Sequence, residues 1–375
     1  MGLLLKPHFS IKIMFKKFNL TPWLFLAPAF VYFFIMVVYP IGGSFWISFH
    51  HWDGTKFQCS DGRSLKSLDD NEICRRVPKM EFAGLENYKR FFKKSPRDID
   101  KILDYWGKVF DPRNKGIGVP IIDQAIGLTI TMSDGETIKW PRLSVETKVM
   151  LNTLKWLIFF PLAIPIGLAL AVFLNQIGWF IKLSKSLLFF PFVISSAVIG
   201  FVFQFFYDPN GGLLSPLYEL LGWKDGIIGD KDKATYGIIL AAWYRQIGYC
   251  LIIYLAGLTS VNSEQIEAAR MDGAFGWKLF RYIVLPQLWP ATFIAVVVTI
   301  IGALRTDSFD MTQIMTEGGP GRGASDVMSR YMYQKTLFDQ DYGYGSTISV
   351  LLFMFMLIFI ITFIIRMYYQ DENLR

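Results

Sequence analysis

The sequence predicts an all-α membrane protein with about six transmembrane helices, and three observations carry that prediction. The 375 residues are 53% hydrophobic and 17% aromatic but only 18% charged, with a mean hydropathy of +0.35; soluble domains carry more charge and fewer aromatics. The 34 Phe and 11 Trp gather mostly in apolar runs of about 20 residues, the length that crosses a bilayer's hydrocarbon. Polar connections separate these runs, and one of them, 50–148, is long enough to form an insertion between the first two spans. The net charge of +7 fits basic membrane flanks. Lys and Arg form no cluster on a soluble face, so a nucleic-acid partner is not expected.

In order, residues 1–20 form a cytoplasmic segment with Lys6, Lys12, Lys16 and Lys17 and almost no acid. The first span covers 21–49. Its apolar core is longer than a signal peptide's and no small-residue cleavage site follows, so it is expected to stay uncleaved. The second span runs from Met150 to Leu174 with Pro161 and Pro165 inside, which neighbouring helices make tolerable. The third is Leu187 to Tyr207, the fourth Thr235 to Leu258, the fifth Leu288 to about Leu304, and the last Thr347 to Ile365. A polar loop is expected over Phe309–Tyr344, and 370–375 form a charged tail. The short loops assigned inside carry Lys182, Lys185, Arg270, Lys278 and Arg281. That modest bias orients both termini to the cytoplasm and the 50–148 insertion outside.

Within the insertion, residues 82–88 (Phe-Ala-Gly-Leu-Glu-Asn-Tyr) lead into a short helix through Phe91-Phe92. Residues 126–140 alternate around Ser133-Asp134-Gly135-Glu136, a hairpin signal. If the insertion faces an oxidising compartment, Cys59 and Cys74 close a short disulfide loop worth roughly 3 kcal/mol; two free thiols are the alternative. His8, His50 and His51 lack ligand-spaced partners, so no metal is expected.

One polar stretch is too patterned to be a plain connection. Between the fourth and fifth spans stand Glu267, Ala268, Ala269, Arg270, Met271, Asp272, Gly273 and Ala274, followed by Leu285-Pro286 and Pro290. Asn262 is placed to cap a helix with Gln265 at its third position. Ala268 and Ala269 let another surface come close, Gly273 permits a turn that other residues resist, and Pro286 starts the next span. An amphipathic helix lying on the bilayer surface is the competing account of this stretch.

These residues, in order and before the last two spans, resemble the EAA loop of binding-protein-dependent ABC importer permeases. Gly84-Leu85-Glu86-Asn87-Tyr88, Asn152-Thr153 and Thr316-Glu317-Gly318-Gly319-Pro320 narrow the resemblance to maltose-type sugar permeases, particularly the first of their two permease subunits. The similarity runs along nearly the whole chain and departs at about 55–80 and 95–145, where this chain is longer. It implies a type I ABC importer permease fold with a core over 149–369 and a cytoplasmic coupling loop over 262–286. It also implies residence in a bacterial inner membrane, and partners: a second homologous permease, two copies of a cytoplasmic ABC ATPase, and an extracytoplasmic sugar-binding protein. The coupling residues would be Glu267, Ala268, Ala269, Asp272, Gly273, Ala274 and Pro286, with the Glu267 carboxylate meeting a basic group of the ATPase. No Gly-x-x-x-x-Gly-Lys-[Ser/Thr] motif occurs in the sequence. This chain is therefore expected to bind no cofactor and to be no enzyme, with ATP and magnesium held by the ATPase.

A solute path should show as polar or aromatic residues misplaced in apolar spans. Candidates are Ser195, Ser196 and Gln204 in the third span, Trp243, Tyr244, Arg245 and Gln246 in the fourth, and Arg305 and Asp307 at the outer end of the fifth. By position before the Gly-Gly-Pro loop, Asp307 and Ala303 resemble residues that contact substrate in sugar permeases; the match at 243–246 is looser by about one residue. An ion pair between Arg305 and Asp307 is the plainer reading of that pair. Packing or an interfacial belt is the plainer reading of Trp243 and Tyr244, and helix packing that of Ser195 and Ser196. An oligosaccharide or glucoside is the expected cargo, with glycerol 3-phosphate as another polar solute within reach. A stand-alone secondary transporter would show inverted repeats and intramembrane carboxylates; no repeat is evident, and acidic residues are nearly absent from the middle of the spans. A membrane sensor would need a cytoplasmic output domain.

Overall fold

The structure is a computed structural model, and it describes residues 20–52, 57–58, 75–76, 80–93, 95–109, 130–131, 137–138, 143–175, 179–321 and 323–372. Among these, five helices are long and apolar enough to cross a membrane: Leu24–Ser48, Val145–Leu174, Ala234–Thr259, Trp289–Met315 and Tyr342–Thr362. The broken pair Leu183–Val193 and Ser196–Phe206, bent by 101°, brings the number up to six if its two halves are counted as one span. The all-α class holds, with three two-residue strand pairs in the 50–148 segment as the exceptions. Ile130–Thr131 and Thr137–Ile138 pair antiparallel where the hairpin was expected. Glu86–Phe92 and Ser95–Val109 are helices. Cys59 and Cys74 lie outside the described residues.

Three boundaries differ from the sequence expectation, each for a physical reason. The third span is not one rod from 187 to 207. Helix Trp179–Val193 contains Pro191, and the chain turns at Ser195, which is extended (φ −57°, ψ 139°) and opens the helix Ser196–Phe206. The fifth span does not stop at Leu304. It breaks at Arg305 (φ −130°, ψ −72°) and resumes as Thr306–Met315. The expected loop over 309–344 is also partly helical, as Met328–Tyr333 followed by a π turn at Gln334–Phe338. Their polar side chains pair inside the protein, so hydropathy alone reads them as loop.

Small residues set how closely the spans approach. A Cβ at Gly167 would collide with Cys250 of the fourth span, and one at Gly248 would lie 2.6 Å from the Leu188 carbonyl oxygen. Trp156, Phe160, Ile238 and Met311 form the centre of one buried cluster. Ile164, Leu251, Tyr254 and Leu288 form that of another. The outward faces stay apolar, as at Phe173, Phe201 and Phe205.

Two of the sequence motifs act as ties. Buried Asn87 donates from Nδ2 to the carbonyls of Ser48 (3.1 Å) and His50 (2.9 Å), and Tyr88 Oη lies 2.8 Å from Ser48 Oγ. Thr347 of the last span donates to the same Ser48 carbonyl at 3.2 Å. The end of the first span is thereby held between the Asn87 helix and the last span. Asn152 does the same for the glycine-rich turn. Its Nδ2 faces the carbonyls of Gly323, Ala324 and Asp326 at 3.3, 2.8 and 3.1 Å. Its Oδ1 accepts from Thr235 Oγ1 at 3.3 Å, and Thr153 Oγ1 accepts from the Met328 N–H at 3.0 Å. Gly318 and Gly319 both have positive φ (97° and 107°). Arg330 and Asp326, paired at 2.9 Å, crowd the space where a Gly318 side chain would be.

Candidate functional site

The stretch between the fourth and fifth spans builds its own scaffold. The Asn262 side chain accepts the Glu264 N–H at 2.8 Å and opens the helix Ser263–Met271. At the other end the Gly273 N–H reaches the Arg270 carbonyl (3.0 Å) and the Ala274 N–H the Ala269 carbonyl (2.8 Å). That is the Schellman arrangement, which needs a left-handed residue just past the cap. Gly273, at φ +81°, supplies it. Asp272-Gly273-Ala274 is thus a helix stop written in the sequence, with Asp272 as cap. A Cβ on Gly273 would meet nothing within 4 Å, so the glycine answers a backbone need.

The two alanines part company. Ala269 is only 8% exposed and packs under the stop, while Ala268 and Glu267 face outward. On both sides of the turn large apolar side chains stand free: Met271 before it is 89% exposed, and Phe275 and Trp277 after it are 65% and 71% exposed. Pro286 is exposed and is the middle residue of the short turn Leu285–Gln287, which leads into the fifth span.

Sequence reasoning missed one residue here. Gln265 does not return to the Asn262 N–H as a capping box requires. Gln287 does so instead, accepting the Asn262 N–H on Oε1 at 2.9 Å and donating from Nε2 to Gln265 Oε1 at 2.9 Å. The replacement comes from across the loop, and no local sequence rule signals it.

A second polar cluster lies among the third, fourth and fifth spans. Arg245 donates to Asp307 at 2.5 Å, with 22% and 8% of the two side chains exposed. Arg305, the partner expected for Asp307, is exposed at the break and does not supply this ion pair. The Arg245 guanidinium also stands 5.1 Å from the Phe192 ring centroid. Its Nε is buried and finds no acceptor among the described residues. Gln246 is buried and donates to Thr299 Oγ1 at 2.6 Å. Trp243 Nε1 donates to the Phe159 carbonyl at 3.1 Å, and Ala303 is fully buried in packing. Tyr244 is half exposed against Phe203, and Gln204 faces outward. Ser196, first residue after the bend, donates to the Asp310 carboxylate. Asp310 was not anticipated, because the sequence assigned it to a loop; with Asp307, which the sequence offered as a candidate, it lies in the helix Thr306–Met315.

Residues 163–372, more than half of the chain, match the family described as binding-protein-dependent transport system inner membrane component. The chain belongs to that family. This permease is 35% identical over 230 residues to a probable ABC transporter permease of Pyrococcus horikoshii, covering 60% of this chain and 78% of the relative. It is 24% identical to the trehalose/maltose transport system permease protein MalF of Thermococcus litoralis, over 95% and 96% of the two chains. To the alpha-glucoside transport system permease protein AglF of Rhizobium meliloti it is 27% identical, over 89% and 78%. Among solved structures it resembles a bacterial ABC transporter that imports the acidic polysaccharide alginate, with a TM-score of 0.61 at 16% identity over 92% and 93% of the chains. The likeness at that identity is one of fold, and it gives the permease its type I importer architecture.

Proposed function

We propose that this permease passes a sugar, an oligosaccharide or glucoside, across the inner membrane by alternating access, driven through residues 262–286 by a separate ATPase. The observation that carries the reading is the built coupling segment: a capped helix, a Schellman stop at Gly273, and an outward face formed by Glu267, Ala268, Met271 and Phe275. A surface loop with no partner gains nothing from displaying that much apolar area. Glu267 is suited to a basic group in the ATPase groove. ATP and magnesium belong to that ATPase, of which two copies would meet this chain and a second homologous permease. A soluble sugar-binding protein would dock on the opposite side, where the 50–148 segment lies, with both termini in the cytoplasm.

Sugar as cargo is supported by relatives named for trehalose/maltose and for alpha-glucosides and by the chemistry of the cluster. Arg245 Nε offers a free donor, Asp307 and Asp310 accept from hydroxyls, and Tyr244 gives a ring face to sugar C–H groups. Arg245, Asp307 and Gln246 are the residues to test first.

A tag on this chain should copurify an ATPase and a second permease, whereas a stand-alone transporter would purify alone. Glu267→Lys should leave the protein in the membrane and abolish coupled uptake. Normal sugar uptake in that variant would refute the reading.

A further inference from the structure

Between the start of the 262–286 segment and the entry to the fifth span stands one side chain that bonds to both, Gln287. All of its hydrogen-bonding groups are engaged. Oε1 accepts the Asn262 N–H (2.9 Å), and Nε2 donates both to Gln265 Oε1 (2.9 Å) and to the Ile283 carbonyl (3.1 Å). The first two partners open the coupling helix. The third belongs to the π turn Phe280–Val284, which is followed by the short turn Leu285–Gln287 containing Pro286. One amide thus joins the start of the coupling helix, the returning strand of the loop and the entry to the fifth span.

The packing just beneath leaves no slack. Leu288 is fully buried. A Cβ at Gly257 of the fourth span would lie 2.8 Å from Ala291 Cβ and 3.1 Å from Leu288 Cδ2. The two ends of the loop therefore meet in a tight throat, with Gln287 as a collar above it. Without the collar, the coupling helix is linked to the fifth span by its packing against the π turn Phe280–Val284 and by the exposed turn from Asp272 to Gly276, with two positive-φ glycines (81° and 54°). A push on the helix would then be absorbed there.

We infer that Gln287 is the positioning residue that makes the coupling helix and the fifth span one rigid body, so that displacement of the helix by an ATPase moves the span rather than bending the loop. The inference rests on the coupling role proposed above and deepens it, by naming the residue that transmits the motion.

The test uses the importer assembled on the full chain, with ATP hydrolysis and sugar uptake measured side by side. Gln287→Leu keeps the side chain's bulk and removes all three bonds. Loss of even one net hydrogen bond is a factor of about five in an equilibrium, so sugar moved per ATP hydrolysed should fall at least about fivefold while hydrolysis persists. A residue needed only for folding would lower both activities together and leave their ratio alone. Gln265→Cys with Gln287→Cys should show the same uncoupling, and a short bis-maleimide bridge between the two cysteines should restore uptake. An unchanged ratio in Gln287→Leu, or a bridge that blocks uptake, would overturn the inference. Should Gln287→Leu not reach the membrane, the bridged pair decides alone. A silent Glu267→Lys would refute the coupling role itself, so the two failures are told apart.

Discussion

Asn152→Leu removes a buried side chain that is only 3% exposed while nearly keeping its volume. The amide has two N–H groups, so of its three carbonyl neighbours two are bonded well at once, Ala324 at 2.8 Å and Asp326 at 3.1 Å. Each lost bond costs about 1 kcal/mol net, and a carbonyl stranded away from water costs about 1 kcal/mol more. Thr235 has a second acceptor in the Ala324 carbonyl at 3.4 Å, so its hydroxyl is not orphaned. The total is about 2–4 kcal/mol. Thermal unfolding of the detergent-purified protein should show a fall of several degrees. Thr153→Val deletes the bond accepted from the Met328 N–H and the one donated to the Val149 carbonyl; that carbonyl sits in a helix and keeps its backbone partner, so the change should cost about half as much. A loss below about 0.5 kcal/mol for Asn152→Leu, or a larger loss for Thr153→Val, would refute the latch.

Arg245→Met or Asp307→Leu alone leaves a buried charge without its partner and should cost about 3–5 kcal/mol, whereas the two together should recover most of that; a double-mutant cycle on thermal unfolding measures the coupling. Gly273→Ala meets open space, so only its left-handed backbone is penalised, by about 1 kcal/mol; membrane level and melting should stay close to the original, and a large melting loss would contradict the Schellman assignment. Asp98 is desolvated, which raises its pKa, but bonds from Ser144, Lys101 and Thr147 outweigh that and hold the carboxyl at about 2. Because the folded value is depressed, the stability it lends is complete above the ordinary carboxylate range and lost as pH falls toward 2. Acid should therefore loosen helix Ser95–Val109 in that window, read by hydrogen exchange, and Asp98→Asn should remove the pH dependence.

What was legible in the sequence follows from what each residue has to do. Apolar length declared the spans, because lipid makes one demand of every residue that faces it. Gly273 was legible because a positive φ excludes most other side chains. The helix at Thr306–Met315 was not, because Asp307 and Asp310 satisfy their charge against Arg245 and Ser196 on other spans, and no local pattern records a distant partner. Asn152-Thr153 and the Gly-Gly-Pro turn could be recognised as motifs, yet the contact of Asn152-Thr153 with Gly323, Ala324, Asp326 and Met328, just past that turn, became visible only in the fold. Gln287 is the extreme case. The capping box expected from Asn262 and Gln265 was sound in its chemistry, but its second half is supplied from across the loop.

The central claim is that this permease moves solute only when another protein hydrolyses ATP against the Glu267–Gly273 helix. The most direct measurement is sugar uptake into sealed vesicles that contain the assembled importer and its binding protein. Uptake should stop when orthovanadate blocks the phosphoryl-transfer step and should continue when ionophores collapse every ion gradient. Uptake that survives vanadate and disappears with the gradients would contradict the account.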